Sequence, residues 1–126
     1  MRLLLDSHVV LSVAGQSPQL GKRFQNTIKS ASVVYYSPVT PWELGIKRAK
    51  GRISFPDDVM PGLPTIGLTE LPITAAHGER AAALPLHHQD PFDRMLVAQA
   101  QAELLTLVTT DHRLSSYDVE VLDPRR

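Results

Sequence analysis

Four acidic residues recur at one kind of position in the chain, near the point where a strand gives way to a helix or a turn. Asp6 directly follows an apolar run, and Asp111 follows another after two threonines. Glu43 comes one helical turn into the segment after Val33–Tyr36, and Asp93 comes in the first turn of a later helical segment. Ligands of open parallel sheets bind beyond the carboxyl ends of the strands. If these helix starts share one edge of a sheet, the four carboxylates converge there.

Converging carboxylates predict a metal site. Two carboxylates about 4 Å apart repel each other by on the order of 4 kcal/mol at an effective dielectric near 20, so a cluster requires a cation or a proton. The chain has no cysteine, and none of its five histidines forms a metal-ligand pair on a helix face. Oxygen-only ligation favours Mg²⁺ or Mn²⁺. Such ions orient phosphate esters and activate water for in-line attack.

Helix capping is the alternative explanation for each acid taken alone. Acids in a first helical turn complement the helix dipole by roughly 0.3–1 kcal/mol. The segment from Thr40 to Glu43 has the pattern of a capping box, and Asp6 and Asp111 could be N-caps. The helix starts at Ser17-Pro18 and at Thr74 have no such acid, so capping does not require one.

Strands and helices that alternate along the chain must position these acids. Apolar or β-branched runs predict strands at 2–5, 33–36, 70–73, 105–109 and 119–122. Helical patterns fall at 7–14, 17–30, 40–51, 74–84 and 90–103, the last with Asp90 as its N-cap, and 111–116 predicts a turn or short helix. Pro61 and Pro64 allow only broken turns in the segment 53–69. This alternation predicts a three-layer α/β domain with a central parallel sheet flanked by helices.

The composition is that of an ordinary single domain. The chain has 126 residues, of which 43% are hydrophobic and 21% charged. The lack of cysteine excludes a disulfide scaffold, zinc–thiolate sites and a cysteine nucleophile. No apolar run approaches the roughly 18 residues that span a bilayer. We expect one domain over residues 1–126, located in the cytoplasm and without a membrane partner.

The formal net charge of zero hides an asymmetry between the two halves of the chain. Residues 1–56 contain eight bases and two acids, and residues 57–126 contain five bases and eleven acids, so the halves carry +6 and −6. A neutral total argues against indiscriminate binding of nucleic acid, but it leaves room for a local basic surface.

Four sequence segments together resemble a known family. They are LLLDSH at 3–8, WELGIK at 42–47, DPFDRMLVAQA at 90–100 and LVTTD at 107–111. In this order and spacing they resemble a PIN domain and, more narrowly, the VapC ribonuclease toxins of bacterial type II toxin–antitoxin modules. The resemblance covers essentially the whole chain.

The resemblance implies a Rossmann-like PIN fold and an endoribonuclease that requires Mg²⁺ or Mn²⁺. It also implies a homodimer and a small VapB-like antitoxin whose C-terminal segment covers the active site. By position, the residues that match the family's acidic quartet are Asp6, Glu43, Asp93 and Asp111. Asp6 and Asp93 are the first choices as direct metal ligands. The other two complete the site directly or through water, and one of them assists the attacking water as a base. Ser7 and Thr109 match supporting positions.

A basic stretch beside Glu43 is a candidate RNA contact. Lys47, Arg48, Lys50 and Arg52 have no acid between them. They predict either a track for RNA phosphates or a solvated helix face, and the sequence favours neither.

Several other polar and aromatic residues have two interpretations. We favour a loop role over a metal role for the pair His87-His88, and a core or dimer-interface role over base stacking for Trp42. Arg94 could contact phosphate or form a supporting salt bridge. His8 and His112 adjoin two of the quartet acids and are weaker candidates for substrate contact.

Other enzyme classes with an acid after the first strand fit poorly. A haloacid-dehalogenase-type phosphatase requires Asp-x-Asp there, and this chain has Asp6-Ser7-His8. A receiver domain requires an acidic pair near the first strand and a lysine after the last one, and both are absent. Two alternatives remain open, a PIN nuclease outside a toxin module and a catalytically silent PIN-like scaffold that binds RNA or protein. The presence of all four acids favours activity.

Overall fold

A five-stranded parallel sheet forms the centre of the molecule, and the computed structural model describes all of residues 1–126. Its strands are β1 (Arg2–Leu5), β2 (Val33–Tyr36), β3 (Thr69–Glu70), β4 (Thr106–Val108) and β5 (Val121–Leu122). Their order is β3-β2-β1-β4-β5. The middle strand β1 pairs with β2 and β4, with Leu3 opposite Val34 on one side and Thr106 on the other. Both faces of β1 are covered, which explains why its leucines form an unbroken apolar run.

Helices cover both faces of the sheet. They are α1 (Ser7–Ala14), α2 (Lys22–Ser30), α3 (Val39–Ala49), α4 (Ala75–Ala83) and α5 (Pro91–Glu103), with short 3-10 turns at Leu63–Ile66 and His112–Ser116. Leu4 packs in one core with residues of α4 and α5, and Leu3 and Leu5 pack in the other with residues of α1 and α2. The predicted three-layer α/β fold is confirmed. None of the helices combines the length and the apolarity needed to cross a membrane.

The start of α2 differs from the prediction, because the helix begins at Lys22 and not at Ser17. Its N-cap, Gly21, donates its N–H to the carbonyl of Pro124, and Phe24 donates its N–H to Arg126. A Cβ on Gly21 would come within 2.1 Å of the Arg126 backbone, so this close approach requires glycine. The incoming C-terminal segment therefore decides where the helix starts.

The other differences concern the ends of elements. Strand β3 is Thr69–Glu70 rather than 70–73, and β4 and β5 are shorter than predicted. Leu71 still donates its N–H to the Tyr36 carbonyl, but Pro72 has no N–H with which to continue the ladder. Helix α3 runs from Val39 to Ala49 instead of 40–51.

Candidate active site

Asp6 is held rigidly at the carboxyl end of β1. It is the N-cap of α1, where its Oδ1 accepts hydrogen bonds from the N–H groups of His8 (3.0 Å) and Val9 (3.1 Å). Its Oδ2 accepts a hydrogen bond from the Thr109 hydroxyl at 2.5 Å. The side chain is buried, and burial raises the pKa of its carboxyl group. Asp6 therefore caps a helix and is also held in one orientation at the sheet edge, where burial makes ionisation of its carboxyl group unfavourable.

Glu43 does not form the predicted capping box. Thr40 lies inside α3 and its hydroxyl is hydrogen-bonded to that of Ser7 (3.2 Å), while Ser37 accepts the N–H of Val39 at the helix start. Glu43 is 4% exposed, and its Oε2 accepts a hydrogen bond from Lys47 Nζ at 2.8 Å. Its Oε1 is buried and has no hydrogen-bond partner. An unpaired buried carboxylate oxygen is costly, so it is suited to a cation or a water molecule.

Asp93 lies within the field of the other acids. The N-cap of α5 is Asp90, which accepts the N–H groups of Phe92 and Asp93, so the carboxylate of Asp93 is not used for capping. Burial and the nearby negative charges raise the pKa of Asp93 to about 7. Those charges belong to Asp90, Asp6, Glu43 and Asp111. The charges of Asp6, Glu43 and Asp111 therefore act on Asp93, and the use of the four acids as one site stays a prediction.

Asp111 has a close positive partner, the guanidinium of Arg113. It caps the 3-10 turn after β4, and the Arg113 side chain donates to both of its oxygens, at 2.9 and 2.7 Å. These hydrogen bonds hold the pKa of Asp111 well below its usual range. Its own N–H donates to the Thr109 hydroxyl, which in turn binds Asp6. Thr109 thus connects two of the acids across the sheet edge.

His88 belongs to this cluster, although the sequence analysis favoured a simple loop role. Its Nε2 lies 3.3 Å from Asp93 Oδ2 and 3.3 Å from Asp111 Oδ2. One potential metal-binding atom from each of these three residues lies within 4.8 Å of the others. The only sequence signal was the position of His88 two residues before the Asp90 cap, and that spacing says nothing about where the ring points.

The PIN domain family model matches residues 3–120. The chain belongs to the PIN domain family. Among curated proteins, none matches this sequence significantly.

Several solved structures share the fold of this PIN domain. VapBC2 from Rickettsia felis, bound to a promoter DNA fragment, has a TM-score of 0.71 at 15% identity, over 97% of this chain and 98% of that one. A toxin–antitoxin complex from Klebsiella pneumoniae has a TM-score of 0.66 at 20% identity, over 97% of both chains. VapBC-5 from Mycobacterium tuberculosis, of the VapBC family of toxin–antitoxin systems, has 0.62 at 18%, over 96% of this chain and 97% of that one.

The side chains of the basic stretch point to different parts of the PIN domain. Lys47 turns toward the acids, where its Nζ contacts Glu43 and lies 3.1 Å from His8 Nε2. Arg48 pairs with Asp57 and lies over the Phe55 ring, 4.7 Å from its centroid. Lys50 is exposed beyond the end of α3.

The structure narrows the interpretations of two other residues. Trp42 is 63% exposed, which excludes a core position and leaves its dimer-interface role a prediction, and it packs edge-on against Phe92 with a centroid distance of 4.9 Å. Arg94 forms no salt bridge with an acid. Its buried guanidinium donates to main-chain carbonyls that include those of Ala81, Leu84 and Pro85, so it organises the loop before α5.

The donor set fits a hard divalent cation. Three of the acids are largely buried and one of their oxygens is unpaired. Burial, together with repulsion from the neighbouring acids, raises the pKa of Asp93 to about 7. A divalent ion would relieve that repulsion and supply the missing partner. The site residues thus provide both the charge and the oxygen atoms that Mg²⁺ or Mn²⁺ binding requires.

Proposed function

We propose that this PIN domain, as a single domain over residues 1–126, is a Mg²⁺- or Mn²⁺-dependent endoribonuclease and the toxin of a VapBC-like type II toxin–antitoxin pair. The observation that carries the proposal is a set of linked acids at the carboxyl edge of a parallel sheet, where Thr109 connects Asp6 with Asp111 and His88 lies between Asp93 and Asp111. Membership in the PIN family and the likeness to VapBC structures support it further. The substrate is RNA, and the bond cleaved is a phosphodiester.

The residues that would hold the divalent ion are Asp6, Glu43, Asp93 and Asp111. When bound, the ion supplies activation of a water molecule and stabilisation of the charge that develops on the phosphate. Asp6 is the best oriented of these residues, because Thr109 and the first turn of α1 restrain both of its oxygens. Burial and the neighbouring negative charges raise the pKa of Asp93, so its ionised carboxylate would gain from a bound cation.

Glu43 is the best candidate for a base that orients or deprotonates the attacking water. Lys47 holds its Oε2, whereas its Oε1 remains free to accept a proton or a hydrogen bond. Lys50, together with Arg48 and Lys47, would contact the phosphates of the bound strand. Ser7 supports this wall of the site through its hydrogen bond with Thr40.

The proposed partner is a small VapB-like antitoxin that covers the active site, and the proposed assembly is a homodimer. The support for an antitoxin is the fold shared with structures described as VapBC and as a toxin–antitoxin complex. The exposed Trp42 packs against the partly buried Phe92, and the two residues directly adjoin Glu43 and Asp93 in sequence. An exposed aromatic residue beside a site is typical of a surface that a partner covers. We propose that toxin and antitoxin act in the cytoplasm.

The test is cleavage of a mixed bacterial RNA pool by purified protein with Mn²⁺ or Mg²⁺. The matched variants are Asp6→Asn and Asp93→Asn in the site, and Asp118→Asn at an exposed acid outside it. We expect discrete fragments that disappear with EDTA and with both site variants but persist with Asp118→Asn. Cleavage that survives the site substitutions would mean a contaminant or a wrong site. A folded protein that binds no Mn²⁺ and cuts no RNA would favour the silent scaffold.

A further inference from the structure

Two buried side chains, Arg94 and Tyr117, hold the main chain of the loop between α4 and α5. Arg94, which is 8% exposed, donates to the carbonyls of Pro85 (2.9 Å) and His88 (3.1 Å). The N–H of His88 donates to the Tyr117 hydroxyl at 2.9 Å, and that hydroxyl donates to the Pro85 carbonyl at 2.8 Å. Two buried side chains therefore fix the main chain of His88 from both sides.

The ring of His88 is fixed as well, and its hydrogen bonds determine which nitrogen carries the proton. The main-chain N–H of Asp90 donates to His88 Nδ1 at 3.0 Å. A main-chain N–H can only donate, so Nδ1 must accept and the proton of the neutral ring lies on Nε2. This Nε2–H is hydrogen-bonded to Asp111 Oδ2 at 3.3 Å, and Asp93 Oδ2 lies at the same distance.

Direct ligation of a metal by Nε2 is disfavoured by the same contacts. It would require the proton to move to Nδ1, where it would face the N–H of Asp90. Two donors would then meet inside a cluster where His88 is only 9% exposed, and leaving a buried donor unpaired costs about 1–3 kcal/mol. The ring is therefore suited to donate to carboxylates and not to bind the ion.

We propose that His88 is a positioning residue of the metal site, whose Nε2–H bridges Asp93 and Asp111 and sets the orientation of both carboxylates. The two acids come from different elements, α5 and the turn after β4. A single N–H donor between them draws their facing oxygens together. The inference rests on the metal site of the proposed function. Hydrogen bonds to ligands of this kind typically change metal affinity by about 10–100-fold.

Two substitutions distinguish the role of Nε2 as a donor to the carboxylates from the role of Nδ1 as an acceptor. His88→Gln places an amide N–H near the position of Nε2, whereas His88→Asn places an amide oxygen near the position of Nδ1 and leaves no donor for the carboxylates. Mn²⁺ affinity is measured by titration without RNA, and electron spin-echo modulation detects any ¹⁴N bound to Mn²⁺. Near-UV circular dichroism of the metal-free variants checks their folding.

We expect His88→Asn to weaken Mn²⁺ binding by about tenfold or more, and His88→Gln to remain near wild type. We also expect no directly bound ¹⁴N in the wild-type protein. A bound ¹⁴N that disappears in both variants would make His88 a ligand and overturn the inference. Equal affinities in the two variants, or wild-type protein that binds no Mn²⁺, would also overturn it. Because no RNA is present, this pattern can hold even if the protein cleaves no RNA, so the two proposals fail separately.

Discussion

Replacement of Asp93 by asparagine should stabilise the metal-free protein while it removes the stabilisation by metal. Burial of the wild-type carboxylate, together with the charges of Asp90, Asp6, Glu43 and Asp111, raises its pKa from 3.8 to about 7. Between those pH values the unfolded chain has released this proton and the folded chain retains it. Stability of the metal-free protein therefore falls as the pH rises from about 4 to about 7. An asparagine side chain has no such proton to release, so the variant escapes this loss.

The magnitude follows from the size of the pKa change. At about 1.4 kcal/mol per pKa unit, the rise corresponds to about 4 kcal/mol once the group is ionised in both states. The side chain retains 20% exposure, and solvent screening reduces the effect to about half. Loss of a favourable charge in the first turn of α5 opposes the gain by about 0.5 kcal/mol. The net gain at pH 8 is about 1.5 kcal/mol, or about 6 °C in Tm for a chain of this length.

The assay is thermal unfolding of wild type, Asp93→Asn and the control Asp118→Asn, in EDTA and with Mn²⁺, from pH 5 to pH 8. In EDTA at pH 8 the site variant should melt above wild type, and the difference should shrink on acidification. With Mn²⁺ the order should reverse, because only wild type and Asp118→Asn bind the ion tightly. The exposed Asp118 makes the same change in charge away from the cluster.

Two results would refute this reasoning. If Asp93→Asn were less stable than wild type in EDTA at pH 8, the ionised Asp93 carboxylate would not destabilise the metal-free protein through burial and neighbouring charges. If Mn²⁺ raised the Tm of Asp93→Asn as much as that of wild type, Asp93 would not hold the ion.

Three further predictions concern residues around the site. Thr109→Val removes the hydroxyl that restrains Asp6, so Mn²⁺ affinity measured by calorimetry should fall by about tenfold, and unchanged affinity would contradict the restraint. Arg94→Met removes the donors to the loop before α5 and should lower the free energy of unfolding in urea by about 3 kcal/mol, whereas exposed Arg80→Met should have little effect. Lys50→Glu and Arg48→Glu should weaken RNA binding at low salt in EDTA, with the larger effect at Lys50 because Asp57 already neutralises Arg48. Equal RNA affinity of wild type and Lys50→Glu would contradict the proposal that these bases contact RNA phosphates.

Features that depend on neighbours in the chain could be predicted from the sequence. The apolar run of β1, the Asp90 cap of α5 and the Thr74 cap of α4 are all found where the pattern indicated them. The capping-box interpretation of Glu43 was wrong. Ser37 accepts the N–H of Val39 at the start of α3, and the hydroxyl of Thr40 is hydrogen-bonded to that of Ser7. Capping patterns describe what a segment can do alone, and tertiary contacts decided which partner each side chain took.

The alternation of strands and helices, the positions of four acids near element ends and the family resemblance could all be predicted from the order of the amino acids alone. Those properties follow from side-chain periodicity and local capping, which act over a few residues. Which groups meet depends on the packing of distant segments. Thr109 donates to Asp6 across 103 positions of sequence, and Tyr117 and Arg94 fix the main chain of His88 beside the acids. The orientation of a buried polar side chain depends on partners that the packed sheet and helices bring together, and no local spacing records those partners.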